Sequence, residues 1–349
     1  MLNFQTLLKN LGTGYVSSTA YDTAWAARLI DYDADLSNRA LEWLSSHQLP
    51  DGSWGIESPN YYHDRIMCTL AAMISITHRG RRSRDKAQIE KGLMALSQIT
   101  DNATRELKTK TCPATVGFEV IVPTLVRQAE ELGIIKQQGD RILGKIGRLR
   151  KAKMEKLLGI KISRLTTIAH SAEMAGTDNL SLFDADNLQE QNGSVSNNPA
   201  ATAYFAMHVK PGDQRALDYL RKVSSDDGGA PSFAPFDILE RVWVLSNLLL
   251  TDEKDDPEIR ELCKPHIDYL EQNWKNGKGL GFSAEYSLTD GDDTAVGQRV
   301  LTAFGRVPDI KALHGYEEEN WYRCYHLEVN PSLDVNIHFL DTFEQIGYE

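Results

Sequence analysis

Apolar residues in this chain recur at spacings of three and four far more often than at two, and that periodicity predicts helices. In ILERVWVLSNLLL, Ile238, Val242, Leu245 and Leu249 fall on one helical face. After a cluster of acids, Val296, Val300, Ala303 and Phe304 do the same. Strand-like alternation is scarce, so the chain reads as all-α. Helix-and-turn units also repeat. LEWLSSHQLPDGSWG runs on to RIMCTLAAMISI, a second copy is LQEQNGSVSNNPAATAYFAMHV, and a third is YLEQNWKNGKGLGFSAEYSLTDGDDTAVGQRVL. Each reads as helix, glycine turn, connecting loop, then a helix opening near Thr-Ala or Thr-Leu-Ala. Gly52 and Thr69 are 17 residues apart, as are Gly277 and Thr294. Helical hairpins repeated this way bury their faces against neighbours and can close into an α/α barrel. A helical solenoid with no chemistry is the plainer alternative.

Composition narrows the class. The chain has 349 residues, 41% hydrophobic and 25% charged, enough for one large domain or two ordinary ones. No run of eighteen apolar residues exists, so no membrane span is expected. The opening MLNFQTLLKN lacks a basic n-region and a small-residue cleavage site, so no secretory signal is read. A net charge of -11 argues against nucleic acid as a partner. Short basic clusters at Arg79–Arg84 and Lys145–Lys156 read as solvated surface. Cys68, Cys112, Cys263 and Cys324 show no CxxC spacing, which fits a reducing cytoplasm and neither a zinc site nor a disulfide framework.

The chemistry concentrates in LTDGDDTAVGQRVL, where Asp290, Asp292 and Asp293 stand at the mouth of an apolar helix. Asp-Thr-Ala occurs there and in YDTAWAARL. An N-cap or first-turn role explains Asp22 and Asp293, but one cap does not need three acids. Close carboxylates repel when ionised, so one tends to keep its proton. A protonated carboxyl in a dry pocket can protonate a weak base that water would outcompete. The same oxygens could hold calcium or magnesium, although D-x-D-D lacks the remaining ligands of an EF-hand loop. Pattern alone leaves acid catalysis, metal binding and capping open.

Ordered motifs then add a resemblance. STAYDTAWAARL, QLPDGSWG, HDRIMCTLAAMISI, VGFEVIVPTL, NGSVSNNPAATAYF, GGAPSFAPFDILERVW and DGDD, from about Leu7 onward, resemble class II terpene cyclases of the bacterial copalyl and tuberculosinyl diphosphate synthase type. The resemblance implies that Asp292 protonates the terminal alkene or epoxide of a polyprenyl substrate while Asp290 and Asp293 tune and orient it. Asn336, in NPSLDVNIHFL, would hydrogen-bond the acid and aim its proton. The last proton would leave to a water held by a His and an Asn. Here AHSAE supplies His170, and GGAPSF puts Ser232 where the family has Asn, which opens the stereochemistry and skeleton of the product. Trp243 and Phe233 are expected to face the carbocation, with Phe236, Trp321 and Tyr322 as further aromatic candidates near the motifs. Lys153 and Lys156 are candidates for the diphosphate. Mg²⁺ is implied by family, although ITDNATRELKTK keeps only scattered acids such as Asp101 and Glu106 and the metal ligands stay unknown.

The implied fold is the βγ terpene cyclase architecture of two α/α barrels, with the active site between them. Residues 1–13 would belong to the β domain, 14–190 to the γ domain, and 191–349 to the β domain carrying DxDD. The β barrel is expected to be incomplete, because relatives run on past the Asn336 motif and this sequence stops at Glu349. Truncation is the favoured account, a natural short form the other, and a homodimer would cover the exposed wall. The expected activity is cyclisation of geranylgeranyl diphosphate to a bicyclic copalyl-, halimadienyl- or kolavenyl-like diphosphate, with the diphosphate retained. The alternatives are a farnesyl diphosphate cyclase giving a drimane-type product, and a non-catalytic helical repeat that binds isoprenoids or a partner.

Overall fold

A computed structural model describes residues 4–348, apart from 13, 15, 59–60, 80–81, 107–116, 137–138, 158, 326–327 and 329–330; side chains at 100–106, 139–145, 149 and 156 are also outside the description. The helical reading holds. In chain order the helices are α1 (Phe4–Asn10), α2 (Ala20–Ala26), α3 (Ala34–Ser46), α4 (Tyr62–Arg79), α5 (Ser83–Glu106), α6 (Phe118–Glu131) and α7 (Gly139–Lys156). They continue with α8 (Pro199–Tyr204), α9 (Gln214–Val223), α10 (Asp237–Leu248), α11 (Pro257–Gln272), α12 (Gly291–Ala303), α13 (Lys311–His314) and α14 (Leu333–Ile346). Among the described residues the sheet content is one antiparallel pair, β1 (Ser18–Thr19) and β2 (Ala230–Pro231). No described helix is long and apolar enough to cross a membrane.

The chain forms two compact units: Val16–Ala234, and Met1–Tyr15 together with Pro235–Glu349. The division falls at 234/235, not at the 190/191 boundary expected above. The reason is local to the larger unit. The Asp22 carboxylate accepts the Ala200 N–H (3.2 Å), which ties the start of α8 to α2, and β2 pairs with β1. Its core includes Trp25, Trp54, Met73, Tyr204 and Phe205, all essentially dry. In the smaller unit, α1 lies on α11, where His266 Nε2 meets the Leu8 carbonyl (2.9 Å). The Glu240 carboxylate accepts the N–H groups of Gly12 (2.9 Å) and Gly14 (2.8 Å). Leu8, Val242, Leu245, Ile267, Val296 and Val300 fill one core, and Leu313, Tyr316, Val335 and Phe339 a second.

The repeat is a shared piece of hydrogen-bonded backbone. At Leu49–Ser53, Glu190–Ser194, Ser225–Gly229 and Lys275–Gly279, the first N–H donates to the fifth carbonyl and the fourth N–H returns to the first carbonyl. The next N–H in each case donates to a threonine hydroxyl on a helix: Trp54 to Thr69 (3.0 Å), Val195 to Thr202 (2.8 Å), Ala230 to Thr23 (2.8 Å) and Leu280 to Thr294 (3.0 Å). Sequence spacing identified three of these turns. The fourth, at SSDDGGA, escapes it because its threonine lies some two hundred residues upstream, in the first Asp-Thr-Ala. Both Asp-Thr-Ala segments thus contribute their Thr to the same bond. At Gly193, φ is +90° and an added Cβ would sit 2.4 Å from the Arg215 carbonyl, so only glycine fits the turn.

Candidate active site

The acid cluster opens α12. Asp290 is the N-cap: its Oδ1 accepts the Asp293 N–H at 2.7 Å, and its carbonyl accepts from the Thr294 hydroxyl at 2.6 Å. Asp293 sits in the first turn, one of the two places expected for it. Gly291 is dictated by crowding, since a Cβ there would meet the Arg323 carbonyl at 2.4 Å. Asp290 and Asp293 are each 1% exposed. Asp292, one step round the helix, keeps its side chain 26% exposed. Of the three carboxyls it is the one an incoming molecule can touch.

Two charges in this dry pocket are disfavoured. Burial, then the charge of Asp293, pushes the Asp290 carboxyl well above the usual carboxylate range. Burial, then the charge of Asp292, pushes Asp293 up to about 7, although the Trp243 indole N–H donates to its Oδ1 (3.0 Å) and pulls the other way. One oxygen on each, Oδ2, has no partner among the described residues. A bare anionic oxygen there is costly, and a proton relieves that cost. Burial thus favours the protonated form of both inner carboxyls.

The partner of Asp292 is His338, whose Nδ1 lies 2.6 Å from Oδ1. The Trp243 ring meets the His338 ring edge-on at 5.0 Å. Asn336 was expected in that position and is not there. Its amide oxygen accepts the Tyr322 N–H (2.8 Å), and its amide nitrogen donates to the carbonyls of Tyr322 (3.0 Å) and Ser332 (2.8 Å). The buried face of α14 runs through Val335, Phe339 and Thr342, and a spacing of three and four puts residue 338 on that face. Residue 336 is turned away. Helical periodicity was the signal that would have found His338; motif register pointed past it. α14 is fixed on α12 by the Thr342 hydroxyl donating to the Ala295 carbonyl (2.9 Å) and by the Arg299–Asp341 ion pair.

His170 and Ser232 belong to the larger unit. His170 lies in a 3-10 stretch, Thr167–Ala175, and burial pushes its imidazole below the ordinary histidine range. Phe233 stands 5.7 Å from its ring. What joins His170 to Ser232 is Asn198, which sequence reasoning passed over. Its Nδ2 lies 3.3 Å from His170 Nε2 and donates to the Ser232 carbonyl at 3.1 Å. Lys153 is ion-paired with Glu119, and the side chain of Lys156 lies outside the described residues, as do those of Asp101 and Glu106. Among the described residues no group of three or more His, Cys, Asp or Glu side chains is arranged to hold a metal ion.

A Type B diterpene cyclase of Mycobacterium tuberculosis is 48% identical over 353 aligned residues, covering all of this chain and 70% of that protein. This chain belongs to the class II diterpene cyclases. No protein-family model matches it. The ent-copalyl diphosphate synthase AN1 of Zea mays is 30% identical over 92% of this cyclase, which spans only 38% of the maize protein. The solved structure of abietadiene synthase from Abies grandis aligns with 96% of the cyclase and 43% of its own chain, at a TM-score of 0.81 and 25% identity. The all-α terpene cyclase architecture expected from sequence is the one found.

Proposed function

We propose that this cyclase protonates the terminal alkene of geranylgeranyl diphosphate and closes two rings, with Asp292 as the acid and the diphosphate retained. The observation that supports it most is the split among three acids: two dry and proton-holding, one accessible and paired with His338. In the first step the Asp292 O–H bond breaks, a C–H bond forms from the alkene π pair, and a tertiary cation remains. Two further π pairs make the ring bonds, and loss of one proton returns a neutral alkene isomeric with the substrate. His338, 2.6 Å away, steadies the Asp292 carboxylate left behind. Trp243, held by Asp293, offers a π face to positive charge. His170 is the group proposed to govern the last proton. The product skeleton, copalyl-, halimadienyl- or kolavenyl-like, is left to the assay, and farnesyl diphosphate is the second substrate to try.

The acid cluster itself does not fit Mg²⁺, because Asp290 and Asp293 are spent on a cap and an indole; the side chains of the other acids considered for the metal, Asp101 and Glu106, lie outside the described residues. The described cysteines, Cys68, Cys263 and Cys324, are free thiols, in keeping with the cytoplasmic setting we propose. Leu333, Ile337 and Leu340 leave an exposed apolar stripe on α14, on which a homodimer is proposed. The test of function is incubation with geranylgeranyl diphosphate, dephosphorylation and mass spectrometry. A bicyclic alcohol from the native chain and none from Asp292→Asn is the expected result. Equal turnover by that variant would end the assignment, and no cyclised product from either would favour a helical repeat protein without catalysis.

A further inference from the structure

The orientation of the Asn198 amide is fixed by what surrounds it. Its Oδ1 accepts the Ala201 N–H at 2.7 Å, capping α8, so that atom must be the oxygen. The other end meets the Ser232 carbonyl, which can only accept, so that atom must be the NH₂. The second hydrogen of this NH₂ is directed at His170 Nε2, 3.3 Å away. An imidazole nitrogen facing a donor is the bare one. A neutral His170 therefore carries its proton on Nδ1.

The backbone that delivers Asn198 is unusual in its own right. Ser196 and Asn197, just before it, are the non-glycine residues with positive φ among the described residues, at +52° and +51°. Side-chain-bearing residues avoid that region, and such strain persists only where the surroundings enforce it. Here they do. The Asn197 N–H donates to the Ser194 hydroxyl (3.1 Å), the Asn197 carbonyl accepts the Ala234 N–H (2.9 Å), and the Thr202 hydroxyl donates to the Asn198 carbonyl (2.6 Å). Asn198 itself is 6% exposed. Asn198 itself has an ordinary φ of -109°, and a helix cap alone does not call for two positive-φ residues before it.

We propose that Asn198 is a positioning residue that holds His170 neutral, ring-fixed and with its proton on Nδ1, and that the fate of the final carbocation depends on this. The second clause rests on the cyclase reading; the first does not. A cation that loses a proton breaks a C–H bond and gives an alkene. A cation that captures water forms a C–O bond, releases a proton and gives an alcohol. A loosened His170 frees room and hydrogen-bonding capacity for that water.

The test uses the full chain with ¹⁵N-labelled histidine. The His170 signals are assigned by their loss in His170→Gln, and their shifts report which nitrogen is protonated. The native chain should show a bare Nε2. Asn198→Asp keeps the cap but turns the donor into an acceptor, so protonation should move to Nε2. Asn198→Ser also keeps the cap, cannot span to Nε2, and should give mixed tautomers; it serves if the Asp variant does not fold, with far-UV circular dichroism as the check. A protonated Nε2 in the neutral native ring, or an unchanged tautomer in the folded variants, overturns the first clause. In product assays, Asn198→Ser should raise the ratio of hydroxylated to olefinic diphosphate by about fivefold, the factor that ~1 kcal/mol of lost hydrogen bonding supplies. Adding Ser232→Asn should restore part of the native ratio. A ratio that does not move, or no cyclised product from the native chain, overturns the second clause and leaves the tautomer assignment standing.

Discussion

Trp243→Phe should widen the pH range of cyclisation upward. The Trp243 N–H donates to Asp293 and favours its ionised form, while burial and the charge of Asp292 hold Asp293 at about 7. Above that pH an ionised Asp293 places a negative charge next to the one that proton transfer must leave on the neighbouring carboxyl, which opposes the first step. One pH unit past the midpoint leaves about a tenth of the cluster in its active form. Phenylalanine keeps the ring facing His338 and removes only the N–H. A hydrogen bond to a charged group is worth roughly 1.5–3 kcal/mol and one pH unit corresponds to ~1.4 kcal/mol, so the midpoint should rise by about one unit or somewhat more. The assay is kcat/KM for geranylgeranyl diphosphate from pH 5.5 to pH 9, native against variant, scored by the bicyclic alcohol after dephosphorylation. The substrate's own diphosphate titrates alike in both and cancels in the comparison. A limb that stays in place, or moves to lower pH, would show that Asp293 does not set it.

Other substitutions separate the parts. His338→Phe should cut kcat by about a hundredfold or more, the lower end of the ~10²–10⁴ typical of an acid–base contribution, whereas Asn336→Ala should cost about 1–3 kcal/mol of stability to denaturant with the product unchanged; the reverse pattern would restore the motif register. Asp22 is held at about 7 against 3.8, so the folded chain grips a proton that the unfolded chain releases. Its stability contribution is complete below pH 4 and falls by up to about 4 kcal/mol as pH rises to 7. Asp22→Asn should flatten that stretch of the denaturation profile, and parallel native and variant profiles would dismiss it. Thr294→Val leaves the Leu280 N–H without its acceptor and should lower stability by about 1–3 kcal/mol, read by urea titration.

How far the sequence went depended on the range of each signal. Helices came from short-range periodicity, and the cluster at α12 came from three acids where one cap suffices. Trp243 was named from sequence and proved to lie against that cluster. Asn336 failed because motif register counts residues and takes no account of which side of a helix they occupy, and one step of two residues turns a side chain by about 200°. Asn198 was hidden for a different reason. Nothing in NNPAATAYF shows that its amide reaches residues 170 and 232, since both contacts are long-range and depend on a left-handed stretch of backbone at two residues that are not glycine. The extent of the larger compact unit was hidden for the same cause: Thr23 and Ala230, Asp22 and Ala200 find each other only in the folded chain.

Because Met1–Tyr15 and Pro235–Glu349 form one compact unit, α1 leaves the ribosome long before α11 exists to receive it. At about 5–20 residues per second, the intervening stretch takes on the order of ten to fifty seconds to synthesise. Throughout that interval Leu8 and Leu11 lack the α11 face they finally pack against, so a newborn chain must carry this greasy segment until its own far half arrives. Expression at lower temperature, or with a holdase to shelter that segment, should matter more for this protein than its finished stability would suggest.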